Sequence, residues 1–200
     1  MPVFGIGDTL EPMTDWDARY RQGQHASDEP HPLIKTFAAK LPPGRALDVA
    51  CGPGRHAIWL AKHGWTVIAV DSSSVAVDLV QQRAHANSVR VNAVIADLER
   101  QEFAIESESY DLIVVCNYLQ RDLFPDIRAG TRIGGVVIAI IALVDGDPGI
   151  KPMNPAFLLN PHELRAQFDG WEVLHTFEGK PGGDASRRAA AELVARRITS

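Results

Sequence analysis

The sequence predicts an α/β domain, an open and mostly parallel β-sheet held between two layers of helices. Three observations carry this. Short apolar runs alternate with helical patterns, a Gly-Pro-Gly loop follows the first run, and an aspartate stands near the end of each of the first three runs, at Asp48, Asp71 and Asp97.

Residues 1–31 hold Gly5, Gly7, Pro12, Gly23 and Pro30 around one short helical candidate at 15–21, in which Trp16 and Tyr20 share a face. They read as an N-terminal arm or lid, followed at 32–200 by the domain proper. Pro32 fits the first turn of a helix through Lys40, with Leu33, Phe37 and Leu41 on one side, and Pro42-Pro43-Gly44 ends it. Apolar runs at 45–50, 66–70 and 91–95 are then separated by helical patterns at 55–63 and 74–86. Runs without clear period-2 alternation suit strands buried on both faces of a parallel sheet with right-handed crossovers. Strands at 110–116 and 135–143 extend the series, joined by a helix near 121–129 and a turn at Ile133-Gly134-Gly135. Residues 145–161, with Pro148, Pro152, Pro155 and Pro161, read as a long loop. A helix at 162–168 and strands at 171–178 and 190–197 complete the chain as a terminal antiparallel hairpin.

With 200 residues, 46% hydrophobic and 22% charged, the chain has room for one domain with a sizeable core. A net charge of −5 disfavours a phosphate-binding surface and with it a nucleic-acid partner, leaving a small-molecule substrate as the better expectation. Cys51 and Cys116 stand apart, with neither zinc-site spacing nor disulfide density, so no metal is expected and each reads as a small core residue. The N-terminal residues lack the pattern of a signal peptide and no apolar stretch reaches about 20 residues. The expectation is a cytoplasmic protein without membrane contact, a monomer or weak homodimer.

In an open parallel sheet the ligand crevice lies beyond the carboxyl ends of the strands. Gly52-Pro53-Gly54 falls there, its glycines allowing close approach and the following helix presenting its first amides. Gly52, Gly54 and Ala57 also satisfy Gly-x-Gly-x-x-Ala, which admits a nicotinamide dinucleotide and an NAD-dependent oxidoreductase. Two details favour S-adenosylmethionine: Pro53 removes one amide donor for a pyrophosphate, and Asp48 would repel pyrophosphate but attract the ammonium of a methionine moiety. Asp71, 19 residues after Gly52, suits ribose hydroxyls in either cofactor. Asp97 is placed to accept from an adenine amino group, with Leu98 packing on the ring.

These residues resemble the class I S-adenosylmethionine-dependent methyltransferases, within the tellurite-resistance-like and thiopurine methyltransferase-like branch. The match is strongest at Leu47-Asp48-Val49-Ala50-Cys51-Gly52-Pro53-Gly54-Arg55-His56-Ala57 and at Val67-Ile68-Ala69-Val70-Asp71-Ser72-Ser73. It continues at Asn117-Tyr118-Leu119-Gln120-Arg121-Asp122-Leu123-Phe124-Pro125. The resemblance implies a Rossmann-like three-layer sandwich with seven strands, the last antiparallel. It implies that the arm lies over the cofactor through Trp16 and Tyr20. Cofactor contacts are implied at Asp48, Ala50, Cys51, Gly52, Gly54, Arg55, Asp71, Ser72, Asp97, Leu98, Cys116 and Asn117. Ala50 stands where many relatives have glycine, narrowing the space near the methionine portion. The Asp/Asn-Pro-Pro-Tyr signature of many amino-methylating enzymes is absent after the fourth strand, which argues against base methylation.

The activity implied is in-line methyl transfer to a small acceptor, such as a thiol, selenium or tellurium species; a cofactor-binding protein without catalysis is the other alternative. A soft nucleophile needs no base, whereas oxygen or nitrogen calls for one from His25, His31, His56, Tyr118 or Arg121. Tyr118 and Arg121, just past the fourth strand, are the candidates for orienting the substrate. His25 and His31 read as solvated arm residues and His56 as a support of the loop. The arm and the 145–161 loop are expected to cover the substrate, because both carry apolar residues with no evident core role.

Overall fold

The computed structural model describes residues 16–23, 27–180, 182 and 187–199. Seven strands form one sheet: β1 (Arg45–Val49), β2 (Thr66–Asp71), β3 (Val91–Ile95), β4 (Tyr110–Cys116), β5 (Thr131–Ala142), β6 (Glu172–Gly179) and β7 (Ala190–Arg196). Their order is β3-β2-β1-β4-β5-β7-β6. The first five run parallel, β7 is antiparallel to β5, and β6 is antiparallel to β7. The strand order reverses between β1 and β4, which places the crevice past the carboxyl ends of those two strands.

Among the described residues there are six α-helices, α1 (Trp16–Arg21), α2 (Pro32–Ala38), α3 (Arg55–Lys62), α4 (Ser74–Ala86), α5 (Phe124–Gly130) and α6 (Glu163–Ala166), of which α1 lies against α4. One core joins Leu33, Ile34 and Ala38 of α2, Ala57, Ile58 and Leu60 of α3 and Val80 and Ala84 of α4 to one sheet face. The other joins Phe124 and Ile127 of α5, Leu164 of α6, Phe168 and Trp171 to the opposite face, with Phe168 edge-on to Phe124 and Trp171. The central strands are buried on both faces, which explains their unbroken apolar runs.

The structure differs from the sequence reading at several ends. The Ile133-Gly134-Gly135 turn lies inside β5, where Gly134 has φ 83° and the register with β4 shifts between Tyr110 and Leu112. The helix expected at 121–129 begins as a 3₁₀ turn, Arg121–Leu123, and becomes α5 with Pro125 in its first turn. His162, expected inside a helix, has φ 66° and stands just before α6. The 145–161 segment contains a 3₁₀ turn at Pro155–Phe157, and its Leu158 and Leu159 are core residues, Leu159 bridging to Leu143. Leu158 and Leu159 therefore do have a core role, whereas Met153 and Phe157 are exposed. No helix among the described residues is long and apolar enough to cross a membrane.

Candidate functional site

The loop after β1 is tied down strand by strand. Cys51 donates its amide to the Val70 carbonyl at 2.9 Å, and Gly54 donates to Cys51 at 3.1 Å. Ala50, Gly52 and Gly54 all have positive φ, 49°, 52° and 81°. A Cβ on Gly54 would lie 2.6 Å from Cγ2 of Val80, and one on Gly52 3.1 Å from the Tyr20 hydroxyl. The loop needs glycine at 54 for packing on α4 and at 52 for the approach of the arm.

Asp71 closes the loop from the end of β2. Its Oδ2 accepts the Gly52 amide at 2.8 Å and its Oδ1 the Ser73 amide at 2.9 Å, so it holds the glycine loop against the start of α4. Burial raises its pKa, and the amides it accepts pull the other way. Ser72 lies between these anchors. The arm reaches the same spot, where Asp17 accepts from the Ser73 and Ser74 hydroxyls and Trp16 stacks on Tyr20.

Asp48 is 1% exposed, and its Oδ2 accepts the Ala57 amide in the first turn of α3 at 3.1 Å. Its Oδ1 lies 3.9 Å from Nδ1 of His56, which is equally buried. Burial pushes the Asp48 pKa up to about 8, against the pull of the Ala57 amide and of Arg55. Burial, then Arg55 and His31, push His56 down to about 3. Burial thus favours the uncharged form of both side chains. His56 Nε2 has no hydrogen-bond partner.

Cys116 and Asn117 end β4 beside this loop. The Arg55 guanidinium donates to the Cys116 thiol at 3.7 Å and makes no ion pair with a carboxylate among the described residues. Asn117, at φ 59°, turns the chain out of the sheet while its amide donates to Ile140. Past β3, Asp97 accepts the amides of Glu99 and Arg100 with Oδ1 and pairs with Arg100 through Oδ2, while Leu98 is buried in the core.

The sequence comparisons bear on this geometry. Residues 46–134 match the family model of a methyltransferase domain. The chain is 26% identical over 151 residues to the probable S-adenosyl-L-methionine-dependent methyltransferase TehB of Haemophilus influenzae, covering 72% of this chain and 51% of that protein. It is 32% identical over 165 residues to a protein named hemagglutinin 1 of Eikenella corrodens, covering 78% of this chain and 53% of the relative. The crystal structure of TehB from Haemophilus influenzae superposes with a TM-score of 0.73 at 22% identity, over 90% of this chain and 66% of that one. Residues 46–134 carry the signature of a methyltransferase domain, and the chain shares its fold with TehB. The chain spans about half the length of the curated relatives it matches.

In this methyltransferase domain the residues present fit S-adenosylmethionine. Gly52 lies open under the Tyr20 hydroxyl, Asp71 and Asp97 stand at successive strand ends, and the Arg55 guanidinium pairs with no carboxylate among the described residues. Tyr118 and Arg121 are already engaged. The Tyr118 hydroxyl donates to Gln120 at 2.8 Å, and burial raises its pKa. Arg121 holds Glu163 at 2.6 Å and the carbonyls of Ala156 and Leu158, latching the 145–161 loop to α6. His25 lies outside the described residues. His31 is not a solvated arm residue: it caps α2, with Nδ1 accepting the Leu33 amide.

Two polar residues escaped the sequence reading. Glu192 of β7 and His175 of β6 meet at 3.0 Å, and His31 Nε2 faces the same carboxylate at 3.8 Å. The available signal was a lone acid in the otherwise apolar run 189–195.

Proposed function

We propose that this domain transfers a methyl group from S-adenosylmethionine to a small-molecule acceptor with a soft nucleophile, a thiol, selenium or tellurium species. The observation that carries the reading is the loop of Gly52 and Gly54 clamped by Asp71, with the Arg55 guanidinium beside it. Gly52, Gly54 and Ala50 would admit the cofactor's close approach, Asp71 and Ser72 would meet its ribose, Asp97 and Leu98 its adenine, and Asp48, Cys51, Arg55, Cys116 and Asn117 its amino-acid end. Trp16 and Tyr20 of the arm would cover it and exclude water. When bound, S-adenosylmethionine supplies an activated methyl carbon, and the chain's task is to align the acceptor in line with it.

The side chains near β4 are poor bases. Burial pushes the Cys116 thiol up to about 11 and the Tyr118 hydroxyl higher, and holds His56 down at about 3. An acceptor that ionises by itself suits such surroundings, which favours sulfur, selenium or tellurium over oxygen. The test is calorimetry with S-adenosylhomocysteine against NAD, followed by methyl transfer to a panel of thiol, selenite, tellurite and small amines. Binding of S-adenosylhomocysteine with turnover of a soft nucleophile is expected. Binding of NAD alone would overturn the reading, and binding of S-adenosylhomocysteine without turnover of any acceptor would make the domain a cofactor-binding protein.

A further inference from the structure

Glu192 sits toward the carboxyl edge of the parallel strands. It is in register with Ile140 of β5, which is in register with Cys116, the last residue of β4. Residues paired across adjacent strands point to the same face, so Glu192 and Cys116 share the face covered by α2 and α3, two strands apart, roughly 10 Å between backbones. The Glu192 side chain is only 13% exposed. Its Oε2 is held by His175, whereas Oε1 lies 3.8 Å from His31 Nε2, too far for a hydrogen bond. One oxygen of this largely buried carboxylate therefore meets no hydrogen-bond donor among the described residues and is open to solvent beside the end of β4.

His31 spends Nδ1 on the Leu33 amide, and its pKa is lowered by burial, so at pH 7 it is a neutral ring. The cations near by are Arg55 of α3, which the cofactor's carboxylate would engage, and Arg187. Asp48, His56, with Nε2 unpartnered, and Cys116 are further titratable groups facing this corner.

We propose that Glu192, set between His31 and His175, is the recognition site for a protonated amine on the acceptor, remote from the atom that receives the methyl group. The inference rests on the methyl-transfer reading and narrows its acceptor to small aminoalkyl nucleophiles. A neutral acceptor would offer Oε1 an uncharged donor at most, weaker than an ammonium, and an anionic one would be repelled.

The test uses thiols that differ only at the far end: cysteamine and 3-aminopropane-1-thiol, their hydroxyl counterparts, and 3-mercaptopropionate. We expect kcat/KM to favour each aminothiol over its hydroxyl counterpart by at least about tenfold, mostly through KM, and Glu192→Gln to reduce that ratio to near one. In parallel, imidazole nitrogen resonances of the wild-type protein, assigned with His31→Gln and His175→Gln, are followed as cysteamine or 3-mercaptopropionate is added, with and without S-adenosylhomocysteine. Both histidines should respond to cysteamine and not to the acid. Equal responses, no response to cysteamine, or a selectivity ratio unchanged in Glu192→Gln overturns the amine site. Failure of S-adenosylhomocysteine to bind overturns the methyl-transfer reading, and the histidine titration then still judges the amine site by itself.

Discussion

Asp48 and His56 lie side by side in the core, Oδ1 of one 3.9 Å from Nδ1 of the other, and burial favours the uncharged form of both. Their proton linkages have opposite signs. Asp48 rises from 3.8 to about 8 on folding, so the folded state binds the extra proton between those values and stability falls as pH rises through them. His56 falls from 6.5 to about 3, so the unfolded state binds the extra proton there and stability rises with pH. The two slopes oppose each other between about pH 4 and 6.5, and only that of Asp48 remains from there to about 8. Asp48→Asn, which keeps an acceptor for the Ala57 amide, should lose that decline of at most about 1.4 kcal/mol per pH unit. Urea unfolding of both proteins at pH 6.5 and 8 measures it, and parallel curves would exclude the linkage.

Ala50 holds a left-handed backbone, φ 49°, at the mouth of the loop. That conformation costs an alanine about 1–2 kcal/mol, while glycine adds about 0.5–1 kcal/mol of unfolded-state entropy. Ala50→Gly should therefore stabilise the protein by about 0.5 kcal/mol or more, with equal or tighter S-adenosylhomocysteine binding. A lower midpoint in thermal unfolding would contradict this.

Removing the Asp71 carboxylate strands the amides of Gly52 and Ser73. Asp71→Ala should cost about 2 kcal/mol of stability, since orphaned buried donors cost about 1–3 kcal/mol each. Calorimetry should also show S-adenosylhomocysteine affinity down at least about tenfold, and retained affinity would remove Asp71 from the cofactor site.

Arg121→Ala tests a latch. With Glu163 and two loop carbonyls released, limited proteolysis within 145–161 should accelerate several-fold, while global stability drops by about 1 kcal/mol or less for a partly exposed ion pair. Unchanged cleavage would show that the leucines alone hold the loop.

Deletion of residues 1–22 removes α1, with its Asp17 bonds to Ser73 and Ser74 and its Tyr20 hydroxyl over Gly52. The truncated protein should stay folded, since α1 buries no residue in the core, but bind S-adenosylhomocysteine more weakly. Unchanged affinity and turnover would dismiss the arm as a cover.

The parallel half of the sheet was legible because β1 and β4 are buried on both faces and written as apolar runs, while the runs of β2 and β3 end at Asp71 and just before Asp97. The Gly52-Pro53-Gly54 loop could be read for the same reason, since its chemistry is local. What escaped depends on distant register. Glu192 meets His175 only because β7 pairs antiparallel with β6, and His31 only because α2 packs across the sheet. Leu158 and Leu159 looked like loop residues among prolines, yet a single bridge to Leu143 carries them into the core. The 3₁₀ start at Arg121 and the left-handed His162 shift helix ends by a residue or more, and no periodicity encodes them.

The place of β7 between β5 and β6 has a consequence for synthesis. β6 precedes β7 in the chain but reaches β5 only through it. A nascent chain made as far as Gly179 would carry the unpaired, apolar edge of Ile138, Ala139 and Ile140 with nothing of its own to cover it. That edge is open to another nascent chain on the same message until Ala190–Arg196 has left the ribosome, so slowing translation between the two strands should raise aggregation without any change in the finished fold.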